Sequence, residues 1–242
     1  MPRDKQTRQR VEPLNCGFTL NHYKEIIELA KDKGYTITST TEYLEELKKP
    51  LLIRHDIDFS IEYAYELANF EYDLGIKTSY YVYLHAPTYN TLAPDSMKMI
   101  EAIYKMGHEV GLHYDSRYSL SHESDIVSSI IKKGIYSYSQ HAPGLTKKET
   151  YQGLTDTFDL DLKYISDSGR NWREGCVCQH IGKDKRLHVL IHPCWWVTNS
   201  KSREDMLHQF YLSLQDKAVG EIREIKQLLY EYYRDDLKRG GI

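Results

Sequence analysis

The run Leu51-Leu52-Ile53-Arg54-His55-Asp56-Ile57-Asp58 passes from three aliphatic residues into two carboxylates one residue apart, and a helical pattern opens just beyond it at Ser60. Strand, charged tip, helix is the arrangement in which α/β proteins place chemistry, because strand ends are rigid and a helix N-terminus favours anions. Two carboxylates this close repel when both ionise. A metal ion on one of them relieves the repulsion and leaves the other as a base. The plainer reading is that Asp58 caps the following helix while His55 and Asp56 form a solvated tip.

Outward from this point, helical spacing places helices over 19–33 (Tyr23, Ile26, Ile27 and Ala30), 61–73, 96–105 and 123–133, with a short one over 41–48. Apolar, β-branched and Tyr-rich runs predict strands over 51–54, 77–84, 107–113, 135–140, 163–166 and 187–191. Residues 202–238 read as a long helix that Gly220 could divide and Gly240-Gly241 would stop. Strands alternating with helices imply a mainly parallel sheet, open or closed into a barrel. Residues 1–17 are expected to be a flexible N-terminal arm, and 18–242 one domain with a C-terminal helical segment.

The formal charge of −3 over 242 residues, with basic residues dispersed, argues against nucleic acid or an anionic membrane surface as partner. No apolar run approaches the ~20 residues of a membrane span, and the basic start over 1–10 leads into no apolar export segment. The expectation is therefore a soluble, cytoplasmic protein. The 21 Tyr, against 5 Phe and 3 Trp, suit half-buried packing or stacking on the C–H face of a sugar, packing being the commoner role for any one of them. Cys16, Cys176, Cys178 and Cys194 contain one close pair, spaced C-x-C, which fits neither a zinc ribbon nor a disulfide framework; plain thiols are expected. The long C-terminal helix could pack on its own domain or on a second copy, which leaves a homo-oligomer open.

Asp56 and Asp58, His113, His141, Asp167 and His192 each fall at or just past the C-terminal end of a predicted strand. In a parallel sheet those ends share one face, where the active sites of such folds are built. One His at such a place is usually a satisfied structural residue. Several independent His and Asp placements on one face point to a site.

The order of these motifs resembles the polysaccharide deacetylases of carbohydrate esterase family four, in the branch whose first motif reads RHDVD. The likeness covers roughly residues 50–200: His55-Asp56-Ile57-Asp58, Leu74 through Tyr81, Gly107-His108-Glu109-Val110-Gly111-Leu112-His113, Ser166-Asp167-Ser168-Gly169 with Trp172, and Leu190-Ile191-His192. The resemblance implies a (β/α) barrel of the deacetylase type, incomplete or distorted, and a metal-dependent hydrolase that removes an N-acetyl group from a sugar. It implies Asp56 as catalytic base, His192 as general acid and Asp167 beside them. Asp58 and His113 would bind the metal, and Arg54, Trp172, Ile191 and Trp195 would meet the substrate. Two departures stand out. The family's second metal-binding His would fall at position 117, which is Arg, and its Arg-x-Pro motif reads His141-Ala142-Pro143. His141 could supply the missing imidazole, completing an Asp58-His113-His141 set, or Asp115 could take that place. Such ligands suit zinc first, then cobalt, nickel or iron. Arg54 or Arg170 could hold Asp56 in the absent Arg's stead. The expected substrate is a nucleotide- or lipid-linked intermediate of surface-polysaccharide assembly. The competing readings are an inactive carbohydrate-binding scaffold and a cyclic-amide hydrolase.

Overall fold

A computed structural model of the protein describes residues 16–43, 45–141, 150–151 and 153–239. Most of the expected arm over 1–17, the Ala142-Pro143 pair and the Gly240-Gly241 stop lie outside these residues. By compactness the chain forms two units, Met1–Thr198 and Asn199–Ile242. The first holds the α/β fold and the second holds one long helix.

In the first unit, helix α1 (Leu20–Asp32) leads to strands β1 (Thr36–Thr38) and β2 (Pro50–Ile57), helix α2 (Ile61–Asp73) and strand β3 (Ser79–Val82). Helix α3 (Pro94–Lys105), strand β4 (Glu109–Tyr114), helix α4 (Leu120–Ile131) and strands β5 (Ser137–Gln140), β6 (Thr155–Asp156), β7 (Lys163–Ser166) and β8 (Leu187–Ile191) follow, and the short helix α5 (Cys194–Val197) ends the unit. The strands lie in the order β6-β5-β4-β3-β2-β8-β7, with β1 beside the first half of β2 and β3 beside its second half. Every described pairing is parallel, and the sheet curls into a half-barrel whose ends, β6 and β7, do not pair among the described residues.

Helix α2 follows directly from its sequence. Ile61, Ala64, Leu67 and Ala68 form one apolar stripe, all of it buried, and each larger side chain contributes about 1.5–3 kcal/mol by leaving water. Its cap is Ser60, whose hydroxyl accepts from the Tyr63 amide at 3.2 Å. Asp58 is thus released from the capping role. The helix expected over 41–48 does not form: its described residues lie in turns and bends. Their backbone groups are taken by side chains instead, Thr41 N–H by Glu109 (2.9 Å), Glu42 N–H by Ser39 (3.2 Å), and the Glu45 and Leu47 carbonyls by Arg186 (3.0 Å each). Gly111 of β4 has no room for a side chain, since a Cβ there would lie 2.5 Å from the Tyr81 ring and 2.7 Å from the Ser137 carbonyl.

Alternation along β2 sorts its charged residues between two faces. Arg54 and Asp56 face one way. His55 faces the other, into a buried network around Glu71 of α2, so it is not part of a solvated tip. Glu71 accepts from His55 Nε2 (2.9 Å), Tyr80 (2.6 Å), Thr78 (2.7 Å) and Tyr23, which joins α1, β2, α2 and β3 at one carboxylate. Burial pushes the Glu71 pKa up, but His55 and the other donors outweigh it and lower it from 4.5 to about 2. Its ionised form therefore contributes stability above the unfolded value, and that contribution is lost as pH falls from 4.5 towards about 2. Glu71→Ala should cost about 3–5 kcal/mol in urea unfolding, because it strands several buried donors. A loss below about 1 kcal/mol would mean that water or rearrangement satisfies those donors.

In the second unit, helix α6 (Arg203–Arg239) runs through Gly220 without a break. One helical Gly costs about 1 kcal/mol, which so long a helix absorbs.

Candidate functional site

The C-terminal strand ends gather the polar residues picked out in the sequence. Asp58 continues the Arg54–Asp56 face just past β2, His113 lies in β4, and His141 directly follows β5. His113 Nε2 lies 3.3 Å from Asp58 Oδ1 and 2.9 Å from His141 Nδ1, and His141 Nδ1 lies 3.8 Å from Asp58 Oδ1. Three ligand atoms thus sit within 4.8 Å of one another, around one point. His113 Nδ1 faces the Ser139 carbonyl at 3.0 Å, its register partner on β5, which fixes the ring and leaves Nε2 pointing into the cluster.

The charges of the cluster are mutually coupled: burial opposes a charged His113 ring, but Asp56 and Asp58 outweigh it and push His113 up. Burial alone would raise the Asp58 pKa, but His113, His192 and His141 around it hold the carboxyl well below the usual range. Burial and the nearby His113 push His141 down, favouring the neutral imidazole that can ligate. Asp58 Oδ1 is buried with no aligned hydrogen-bond donor among the described residues, despite the nearby His113 nitrogen. An unsatisfied carboxylate oxygen beside two imidazole nitrogens fits a borderline divalent cation.

Asp115 has another partner. Arg117 clasps it through Nε (3.0 Å to each oxygen) and Nη2 (2.5 Å), and Tyr83 donates to it at 3.0 Å. The Arg at position 117 therefore occupies the carboxylate that could have replaced His141. Tyr83 itself stacks on the His141 ring at 4.6 Å and meets His113 edge-on at 5.6 Å. Nothing in its local sequence sets it apart from the other tyrosines, except its place just past the end of β3.

Asp56 and His192 flank the cluster. Asp56 Oδ2 receives Arg54 Nη2 at 3.3 Å and Ser139 Oγ at 3.4 Å, while Oδ1 is buried without a partner among the described residues. His192 Nε2 lies 3.5 Å from Asp58 Oδ2, and its Nδ1 is 2.6 Å from Asp167 Oδ1. Asp167 also accepts the His192 amide at 3.1 Å and Trp196 Nε1 at 2.8 Å and is fully buried behind the His192 ring. Burial opposes the charged imidazole, but Asp167 and Asp58 overcome it and push His192 up to about 9.

Three of the four expected substrate contacts are buried. Arg54 is 1% exposed, its guanidinium over the Phe158 ring at 4.6 Å and bonded to Thr157 and Asp56, so it positions Asp56 and cannot meet a ligand. Ile191 is likewise buried within β8, and Trp195 is 3% exposed, though its Nε1 has no partner among the described residues. Trp172 is half-buried and stacks on Phe18 at 6.0 Å. Arg170 lies over that same Phe18 ring at 5.4 Å, and it is Arg54 that holds Asp56.

No family model matches this chain, and no curated protein matches it. The solved structures it resembles include polysaccharide deacetylases. Among them are a peptidoglycan deacetylase of Bacillus subtilis (14% identity, 76% of this chain and 98% of that one, TM-score 0.45) and a chitin deacetylase of Colletotrichum lindemuthianum (15%, 68% and 81%, 0.43). Another is a pseudoenzyme of the same esterase family from Bacillus anthracis (12%, 71% of this chain but only 64% of that one, 0.44). No described helix is long and apolar enough to cross a membrane.

Proposed function

We propose that this site is the centre of a metal-dependent N-deacetylase acting on an N-acetylated sugar, with Asp58, His113 and His141 as ligands of a divalent ion, zinc first. The observation that carries the reading is the convergence of these three side chains with the Asp56–Arg54 and His192–Asp167 pairs on either side. Bound there, the ion would act as a Lewis acid on the amide carbonyl and make a water more acidic. Asp56 Oδ1, without a partner among the described residues while Arg54 holds Oδ2, accepts the proton of the attacking water. His192, kept protonated by Asp167, gives a proton to the departing amine. We place the substrate on a nucleotide or lipid carrier at the cytoplasmic face. Acetate release from carrier-linked N-acetyl sugars, from polymer and from small cyclic amides tests that choice, and hydrolysis of cyclic amides alone would replace the deacetylase reading.

The ligand set has its own test. His141→Ala should weaken metal affinity at this site as severely as His113→Ala, beyond the ~10–100-fold cost of losing a supporting partner. Asp115→Ala and Arg117→Ala should leave affinity close to wild type. Metal titration of the four variants reads this out. Release by Asp115→Ala alone would shift the site to Asp-His-Asp and the preferred ion towards manganese or magnesium.

A further inference from the structure

A second group of ligand atoms lies apart from the strand-end site. Cys16, His22, Cys176 and Cys178 bring three sulfurs and an imidazole nitrogen within 4.8 Å of one another. Cys16 Sγ is 3.5 Å from Cys178 Sγ, and His22 Nε2 is 3.2 Å from Cys176 Sγ. None of the cysteines is disulfide-bonded. Around a tetrahedral zinc ion, Zn–S near ~2.3 Å and Zn–N near ~2.0 Å would set S···S at roughly 3.8 Å and N···S at roughly 3.5 Å. These two separations need only a few tenths of an ångström of expansion to admit it, and the other ligand atoms lie within 4.8 Å.

The surroundings of His22 point the same way. It sits in the first turn of α1, 2% exposed, and its other ring nitrogen, Nδ1, lies 3.0 Å from the Glu25 carboxylate. A carboxylate on the far nitrogen of a histidine fixes the tautomer that leaves Nε2 as a lone-pair donor, the usual support of a zinc-bound imidazole. Thr19 caps the helix and accepts the His22 amide at 3.1 Å, so the ring is held from both backbone and side chain. Cys176 is buried, and Cys176 and Cys178 flank Val177 at a short 3-10 turn that brings both sulfurs to the same side.

We propose that Cys16, His22, Cys176 and Cys178 bind a structural zinc ion, distinct from the strand-end site. Four protein ligands would leave no open position, which suits a structural ion and excludes a catalytic one. Three soft thiolates select zinc over the harder divalent ions. The ion would tie residue 16 to the 176–178 turn across more than 150 residues of chain. The cross-link abuts the wall behind the strand-end site: the His22 ring stacks on Trp196 at 6.3 Å, Phe18 meets Trp196 at 5.3 Å, and Trp196 donates to Asp167.

Cobalt(II) titration under reducing conditions tests this directly. The wild-type chain should develop thiolate-to-cobalt charge-transfer absorption in the near ultraviolet together with the intense visible bands of tetrahedral cobalt. Asp58→Ala should keep both features, because the strand-end site has no sulfur. Cys178→Ser, at a half-buried position that tolerates a small polar side chain, should lose the charge-transfer band and about one zinc equivalent by elemental analysis. Cys194→Ser should lose neither. Absence of the charge-transfer band in the wild type would overturn the proposal without reference to any variant's folding. Its loss in Asp58→Ala, or unchanged zinc content in Cys178→Ser, would do the same.

Discussion

Asp58→Ala should fold as the wild type does, fail to take up the strand-end ion and release no acetate above background. Asp58 lies just past β2, half-buried, and caps no helix, because Ser60 performs that task for α2. Its removal takes away the hard, charged ligand and leaves two neutral imidazoles, too few to hold a catalytic ion at useful concentration. The side chain also balances three histidines, and without it the preference for neutral rings at this cluster increases. His113→Ala should match it in metal content, since the His113 ring is fixed through the Ser139 backbone carbonyl with Nε2 aimed into the cluster. Elemental analysis alongside circular dichroism and a thermal scan separates metal loss from unfolding. If either variant retains the strand-end ion, the ligand assignment fails. If the wild type binds no ion there at any workable concentration, the inactive-scaffold reading replaces the enzyme.

Much of this arrangement was legible in the chain because it is local. Helix α2 has the bounds that its apolar stripe dictates, and the parity of Arg54, Asp56 and Asp58 along an extended strand already places them on one face. The convergence of Asp58, His113 and His141 follows from all the strands being parallel, which the alternation of strands and helices implied. What sequence could not convey was partnership across the fold. His55, conspicuous within the charged tip, turns away to Glu71 sixteen residues on, and Arg54 is sealed by Phe158, Thr157 and Tyr164 from a segment a hundred residues away. The cysteine cluster is hidden in the sequence for the same reason. A C-x-C pair lacks further ligands until the segment leading into α1 supplies Cys16 and α1 itself supplies His22, six residues further on. The turn over 41–48 failed as a helix because its own apolar spacing is weaker than the side-chain bonds that Glu109 and Arg186 offer from elsewhere in the chain.

Asp56→Asn and His192→Ala should each retain the strand-end ion while lowering kcat by roughly 10² to 10⁴, the worth of a positioned base or acid, or about 2.7–5.5 kcal/mol in barrier height. The two differ in what they do to the pH profile. His192 has its folded pKa raised from 6.5 to about 9, so its proton is present at neutral pH and is lost as pH rises through that value. Activity of the wild type should therefore fall on the alkaline side. An ion on Asp58 cancels part of the charge that raises His192, so in the loaded enzyme this limb should lie at or below about 9. Asp167→Asn weakens the partner held at 2.6 Å from Nδ1 and should draw the limb to lower pH without releasing the ion. His192→Ala should abolish the limb altogether, leaving a flat, low residual rate. An alkaline limb that persists unchanged in His192→Ala would assign the acid to another group. Loss of the ion from Asp56→Asn would exchange the roles of the two aspartates.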